Sequence, residues 1–597
     1  MATDGSSVGE GTVIYISEVD NVLKAVSMYG KRWVYTTCAM LSVSTSVTAW
    51  HVFAIVFIGG LPDDYHCRVG ANQSIPQIYK DGKWTNDKCR MYKNESSGDN
   101  QTIPCNNGWV YYTDYQSTIV TEWDLVCDRD YLPQMAQTIF VVGTLVGAGS
   151  LSPLADWFGR KAVHIASQIG IAVFGIVVIF SPNYTVFAVM RFLSGICQQG
   201  IALTGNVMTF ELFDKNVRYL FILALTVAWS LMVASLAAFA FLVRDWKHLQ
   251  LLISIPGLLA IFGICCLTES IPWLIGRGRI VEAEEILRKV TKGPEIKLSV
   301  RDCGFQEEVT SNIRREKTLK TEITKRMKTL KLKCCKPKRK SHTRAPPAGS
   351  VDKKRETLWD QLKHPRLRWY SIIMCLMWLN SSIAYYGITL SATSLVGNRY
   401  LNFGLVALAE APTFIYTSIA STKIGRRIAS SFAQVAAGIA LITVVFIPKS
   451  LSNGTSLAPL ILTLTMVGMY LISCSFSLAY LYGKEIYPTS TRNSGMGLSS
   501  VCARVGGMLA PFAGYMVTKI YWFPGVFLGS ISIIIGLLVL YLPEPLGRPI
   551  PQKIADMDSW TRQRYRPPTD DNMADEQLPA LLKEREQEED GRNNSVV

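Results

Sequence analysis

The chain has 597 residues, 49% hydrophobic and 18% charged, with a mean hydropathy of +0.19. That balance over such a length excludes an ordinary soluble protein and makes the bilayer the solvent. The net charge of +15 gathers in turns between apolar runs and in one basic segment, so it describes orientation in a membrane and implies no nucleic-acid partner.

Residues 1–32 are polar, and no short apolar stretch precedes a small-residue cleavage site. The first apolar run is therefore expected to be an anchor, with the amino terminus in the cytosol. A helix crossing about 30 Å of hydrocarbon at 1.5 Å per residue needs about 20 residues. Runs of that kind lie near 33–60, 131–154, 162–180, 185–209, 219–242 and 249–267, and again near 368–390, 400–420, 428–447, 457–482, 494–518 and 523–542. The expected fold class is an all-α membrane protein of twelve transmembrane helices in two six-helix bundles. Its parts are a cytosolic segment 1–32, a first bundle 33–275, a linker 276–366, a second bundle 367–545 and a cytosolic tail 546–597.

Between the first two runs, residues 61–128 hold 10 acidic against 6 basic residues, with Cys67, Cys89, Cys105 and Cys127 and sequons at Asn72, Asn94 and Asn100. An even number of cysteines beside clustered sequons predicts an extracellular, glycosylated cap with two disulfides, in any of three pairings. A basic turn follows the second run, Ala155-Asp156-Trp157-Phe158-Gly159-Arg160-Lys161, and recurs after the eighth as Ser421-Thr422-Lys423-Ile424-Gly425-Arg426-Arg427. Turns of this kind lie at a membrane face, where arginine and lysine favour the cytoplasm. Twinned halves point to a transporter with its site on the axis between them. In the linker, Arg314 to Arg344 carries 14 basic residues against 2 glutamates, a juxtamembrane composition suited to anionic lipid.

Two charges stand out inside the second set of runs. Glu410 lies mid-span in Leu408-Ala409-Glu410-Ala411-Pro412, and Arg504 lies mid-span in Cys502-Ala503-Arg504-Val505-Gly506-Gly507. Either they neutralise each other as a structural pair, or both face a wet cavity where Arg504 receives a carboxylate and Glu410 a cationic nitrogen. Gly506, Gly507 and Pro511 are expected to interrupt span eleven beside the cavity, although they also suit close helix packing, as Gly143 and Gly147 do in span two. Trp378 and Tyr385 in span seven are seven residues apart and share a helix face; with Tyr386 they offer rings to an organic ligand. No phosphate loop, His-Glu-x-x-His or nucleotide-binding fingerprint is present, and the histidines lack metal-ligand spacing. Neither an enzyme nor a metal or cofactor is expected, and a gradient must supply the energy. The terminal Ser595-Val596-Val597 matches a peptide that adds as a strand to a PDZ-type domain.

Thr121-Glu122-Trp123-Asp124-Leu125-Val126-Cys127, the twin Gly-Arg turns, Glu485-Ile486-Tyr487-Pro488-Thr489 with Arg492-Asn493, and Leu542-Pro543-Glu544 resemble the organic cation, organic anion and carnitine transporters of solute carrier family twenty-two, within the major facilitator superfamily. The resemblance spans about Val19 to Trp560. It implies two bundles rocking about a central cavity lined by Trp378, Tyr385, Glu410 and Arg504, to which Tyr386, Phe476 and Gln199 are added as candidates. Asp156, Gly159, Arg160, Lys161, Gly425, Arg426, Arg427, Glu485 and Arg492 are the expected gating residues. Arginine at position 504 suits anion and carnitine carriers, and Glu410 before Ala411-Pro412 is similar to the cation and carnitine branches, so a zwitterion is the first expectation. The alternatives are an organic cation carrier and a receptor-like member that binds without transport. The family implies a small organic ion as substrate, the lipid bilayer of the plasma membrane as surroundings, and a coupling ion, sodium or proton, left open. The chain departs from the family pattern at Ser152, Trp157, Thr422 and Gln199.

Overall fold

The computed structural model describes residues 30–69, 74–80, 83–92, 102–212, 215–265, 267–291, 358–448, 450–451, 454–520, 522–548 and 551–557, short pieces at 13–16 and 295–298, and single residues 23, 26 and 560. The sequons at Asn72, Asn94 and Asn100, most of the basic linker and Ser595–Val597 lie outside the described residues.

Among the described residues, ten helices are long and apolar enough to cross a membrane. Spans one to five are Lys31–Ile58, Cys127–Phe158, Arg160–Phe180, Tyr184–Leu212 and the helix Lys215–Leu242, of which Leu223–Leu242 meets that test. Spans seven to eleven are Pro365–Ser394, Arg399–Ile424, Arg426–Phe446, Ala458–Ile486 and Arg492–Met516. Helix Trp246–Cys265 supplies the sixth, and helix Phe523–Val539, 17 residues long, the twelfth. The order is thus six and six. A short parallel pair, Val13–Ile16 against Glu295–Leu298, brings the amino-terminal segment beside the chain that leaves the first bundle.

Small residues set the closest helix crossings. A Cβ on Gly143 would stand 2.2 Å from the Phe192 carbonyl oxygen, and one on Gly195 would stand 2.1 Å from that of Phe140, so spans two and four touch backbone to backbone. Gly506 plays the same part between spans eleven and seven, where a Cβ would meet the Leu379 carbonyl oxygen at 2.5 Å. The expected interruption of span eleven is therefore corrected: its helix runs unbroken from Arg492 to Lys519 through Gly506, Gly507 and Pro511. The break falls in span eight, between helices Arg399–Leu408 and Thr413–Ile419. Pro412 has no N–H to give to the preceding turn, and the segment falls back on i to i+3 bonds, Ala411 N to Leu408 O and Thr413 N to Glu410 O.

The cap over the loop face is a set of three antiparallel pairs: Asp64–Cys67 with Trp109–Tyr112, Gln77–Lys80 with Lys83–Asn86, and Arg90–Tyr92 with Thr102–Pro104. Disulfides join Cys67 to Cys105 and Cys89 to Cys127, interleaved along the chain, which selects one of the three pairings. The Thr-Glu-Trp-Asp-Leu-Val-Cys string fastens this cap to the first bundle. Glu122 accepts from the Trp246 indole and the Lys247 ammonium, each at 2.7 Å. Trp123 packs edge-on against Phe187 and Trp246, and Asp124 accepts from the Tyr111 hydroxyl at 2.7 Å.

One buried charge escaped the sequence reading. Arg191 in span four is 1% exposed and has no carboxylate among its hydrogen-bond partners in the described residues. It donates to the His51 carbonyl oxygen at 2.9 Å and to Gln137 Oε1 at 3.0 Å, and lies 4.5 Å from the Phe140 ring centroid. Those contacts tie spans one, two and four together, a structural use of a cation.

Candidate functional site

The two basic turns fold alike. Gly159 and Gly425 adopt φ of +103° and +94°, values that L side chains avoid, and each hands the chain to a new helix at Arg160 or Arg426. A carboxylate from the end of the same bundle sits on the helix amino terminus. Glu269 accepts from the backbone N–H of Arg160 at 3.0 Å and of Lys161 at 3.2 Å. Glu544 accepts from the N–H groups of Arg426 and Arg427, both at 2.9 Å. The free N–H groups and the dipole at a helix start favour an anion there. The arginine side chains repeat the symmetry. Arg160 donates to the Ala155 carbonyl oxygen and pairs with Glu211 at 3.3 Å; Arg426 donates to the Ser421 carbonyl oxygen and pairs with Glu485 at 2.8 Å.

Residue-level differences follow the sequence departures. Asp156 adds a 2.6 Å ion pair to Arg160, whereas Thr422 turns its hydroxyl to the Ser418 carbonyl oxygen. Trp157 is 67% exposed. Lys161 donates its ammonium to the Leu267 carbonyl oxygen. Arg492 donates to the Thr489 hydroxyl at 3.2 Å and joins neither carboxylate cluster. Glu211, Glu269 and Glu544 were not named as partners from sequence; the matching places of Glu211 and Glu485 at the ends of spans four and ten were the signal available.

Midway along its span, Glu410 occupies the break in span eight, partly buried. Its Oε2 accepts from the Tyr385 hydroxyl at 3.0 Å, and that hydroxyl accepts in turn from the Trp229 indole at 3.1 Å. Trp229 belongs to the first bundle and Tyr385 to the second, so this short chain of hydrogen bonds crosses between them. Rings surround it: Tyr385 lies 5.2 Å from Tyr386, 6.3 Å from Phe53 and 6.4 Å from Phe476. Arg504 is partly buried on span eleven and makes no ion pair with Glu410. Tyr386 stands within electrostatic reach of both charges, and Tyr480 within reach of Arg504.

Trp378 is only 1% exposed, its ring tilted against Tyr480 with centroids 4.2 Å apart and edge-on to Phe476 at 5.8 Å. Its ring can meet a ligand only after one of those neighbours moves, and its indole N–H has no partner among the described residues. Tyr480, 45% exposed, is the open side of that ring cluster. It lies four residues after Phe476 on one helix face, a spacing that could have exposed it in the sequence. Gln199 is buried on span four, with its Cβ against the Gly147 backbone. The structure therefore gathers Tyr385, Tyr386, Glu410 and Phe476, sets Arg504 near Tyr386 and Tyr480, covers Trp378, and adds Trp229 and Tyr480.

The bundles are fastened together toward the loop face. Arg399 pairs with Asp63 and its guanidinium lies 4.9 Å from the Tyr115 ring centroid. Asp130 receives the Tyr515 hydroxyl at 2.7 Å and the Lys519 ammonium at 2.8 Å. Deeper, the Thr138 hydroxyl donates to the Met508 carbonyl oxygen at 2.9 Å, and Phe57 stacks on Tyr400 at 5.7 Å. A cleft of about 330 Å³ remains on that face, lined by Gly60, Asp63, Tyr115, Gln137, Arg399 and Tyr515 among others. On the face of the basic turns, Lys484 of the second bundle lies 5.0 Å from the ring centroid of Phe210 of the first.

Comparison with known proteins bears on this arrangement. The model of the sugar (and other) transporter family matches residues 88–552. The chain is 29% identical over 547 residues to the organic cation/carnitine transporter 2 of Rattus norvegicus, covering 87% of this chain and 90% of that one. It is 30% identical over 473 residues to the organic anion transporter 3 of Sus scrofa, covering 78% and 79%. Among solved structures, the proton:xylose symporter XylE, of the major facilitator superfamily, superposes with a TM-score of 0.51 at 12% identity, over 89% of this chain and 100% of that one. A D-xylose-proton symporter does so with a TM-score of 0.53, over 86% and 99%, likewise at 12% identity.

Proposed function

Because the chain belongs to the sugar (and other) transporter family and, within the major facilitator superfamily, to the organic ion transporters of solute carrier family twenty-two, we propose that it carries small zwitterionic or anionic substrates, carnitine-like or simple carboxylates, by alternating access. The membrane is the plasma membrane, with both termini cytosolic. One observation carries the substrate class: Arg504 and Glu410 share the second bundle without forming a salt bridge to each other. Tyr385 holds one oxygen of Glu410, which leaves the other for a cationic nitrogen; Arg504, partly exposed, has a guanidinium fork suited to a carboxylate. A zwitterion meets both charges, so occlusion buries no unpaired ion. Relatives named for carnitine, for organic cations and for organic anions support the same span of chemistry.

In this reading the two bundles swing against each other, and the Asp63–Arg399 and Asp130–Lys519 contacts part when the loop face opens. The basic turns, tied to Glu211, Glu269, Glu485 and Glu544, hold the opposite face of each bundle in register. An organic cation as sole substrate is the second reading, favoured by the rings of Phe53, Tyr386 and Phe476 around Tyr385 and Glu410.

Uptake into reconstituted vesicles separates the readings, with a carnitine-like zwitterion, a dicarboxylate and a quaternary amine compared under imposed sodium, proton and voltage gradients. Arg504→Ala is expected to cut carboxylate uptake at least tenfold with surface amount preserved, one charged hydrogen bond being worth about 1.5–3 kcal/mol. Carboxylate uptake at the original rate in that variant contradicts the proposal. Binding without flux in the unaltered protein identifies a receptor instead.

A further inference from the structure

The hydrogen-bonded chain Trp229–Tyr385–Glu410 links three groups that seldom meet. One is an indole of the first bundle, one a phenol of the second, and one a carboxylate in a broken span. The Tyr385 hydroxyl is both acceptor and donor, on a residue that is 6% exposed. A hydroxyl that donates a hydrogen bond to a carboxylate becomes a better acceptor at the same oxygen, so each bond in the chain strengthens the other. Trp229 thus holds the second bundle more tightly when the Glu410 carboxylate is unoccupied than when a cation has taken up its charge.

We infer that Trp229 is a positioning residue, a tether between the bundles whose grip reports whether a cationic group sits on Glu410. Neighbouring contacts between the bundles lack that property. The Thr138 hydroxyl donates to a backbone carbonyl oxygen, and the Asp63–Arg399 and Asp130–Lys519 pairs lie out at the loop face. The ring contacts of Phe53 with Tyr385, Tyr386 and Phe403 carry no charge. Among the contacts between bundles of the described residues, the Trp229 link alone ends on a group that the substrate itself can neutralise. An empty protein is then held in the state closed toward the loop face, and a bound ammonium or quaternary nitrogen loosens the hold. Reorientation is faster loaded than empty, which makes exchange outrun net flux for cation-bearing substrates and not for simple anions.

The inference rests on the proposed role of Glu410, and the test keeps the two apart. Vesicles that carry the protein with its loop face outward are assayed for uptake of a labelled carnitine-like zwitterion with and without the same zwitterion inside, and the ratio is compared with that for a labelled dicarboxylate. Trp229→Phe keeps the ring and removes the N–H. It is expected to lower the zwitterion ratio about threefold to tenfold, the worth of one hydrogen bond, by raising uptake without inside substrate, and to leave the dicarboxylate ratio alone. Tyr385→Phe should lower it similarly, and the double variant no further, since both cut the same chain. Zwitterion binding to detergent-solubilised Trp229→Phe serves as the control for folding. An unaltered ratio in Trp229→Phe overturns the tether, as does an additive double variant. Direct binding to Glu410→Gln tests the earlier reading independently: a quaternary amine bound there with original affinity removes Glu410 as its receptor, whatever Trp229 does.

Discussion

At the scale of single residues, the carboxylates of Glu269 and Glu544 show how a long-range partner completes a local motif. Each turn needs a glycine twice over, for its positive φ and because a Cβ would stand 2.4 Å from Glu269 Oε2 or 2.7 Å from Glu544 Oε2. Glu544, 8% exposed, gathers two N–H groups that would otherwise face the membrane edge unsatisfied. Glu544→Ala is expected to destabilise the second bundle by about 2 to 4 kcal/mol, and Glu544→Gln by roughly half as much because it keeps an acceptor. Thermal unfolding in detergent measures both; melting temperatures equal to the original contradict the capping role. The glycines and arginines were legible in the sequence because they repeat. Their acids were not, because Glu269 and Glu544 close contacts across 109 and 118 residues, and no periodicity announces such a pairing.

Among elements, span eight departs most from its expected form. A continuous helix over 400–420 would have displayed Glu410 on one fixed face; the break at Ala409–Pro412 lets it turn toward Tyr385. Pro412→Ala restores the missing donor and a helical path through the break. The expected result is a KM for a cation-bearing substrate raised about tenfold, with surface amount retained, because Glu410 loses its placement against Tyr385. A KM equal to the original shows that the break has no part in binding. Apolar runs and the polar gap between them were readable from composition, but not which proline or glycine breaks a helix. Gly506 sits where span seven lies against the backbone, and the helix runs on through both it and Pro511, whereas span eight breaks at Pro412. Trp378 and Tyr385, seven residues apart on the helix Pro365–Ser391, both reach the Phe476 ring. That Phe476 and Tyr480 would cover the tryptophan depends on span ten, which spacing within span seven cannot reveal.

For the whole molecule, the distribution of contacts between bundles sets the expected motion. Aromatic packing of Phe57 with Tyr400 and Phe403 lies beneath the Asp63–Arg399 pair, and all must separate for the loop face to open. A protein carrying Asp63→Cys and Arg399→Cys is expected to lose uptake when a short bifunctional methanethiosulfonate bridges the two thiols and to regain it on gentle reduction that spares Cys67–Cys105 and Cys89–Cys127. Uptake that continues after the crosslink forms, judged by mass spectrometry, contradicts opening on that face. The two-bundle plan was legible from the paired turns and the count of apolar runs. The state in which the bundles rest was not, because it depends on side chains such as Asp63, Asp130 and Lys519 that look like ordinary loop charges until the halves are brought together.

The parallel strands Val13–Ile16 and Glu295–Leu298 lace the start of the first bundle to its exit. That half is thereby sealed at both ends by its own backbone before the chain goes on to its twin. Severed after Leu298, the polypeptide becomes two chains whose reunion depends on surface complementarity alone, so the peptide joining the halves governs how often they find each other rather than how they fit.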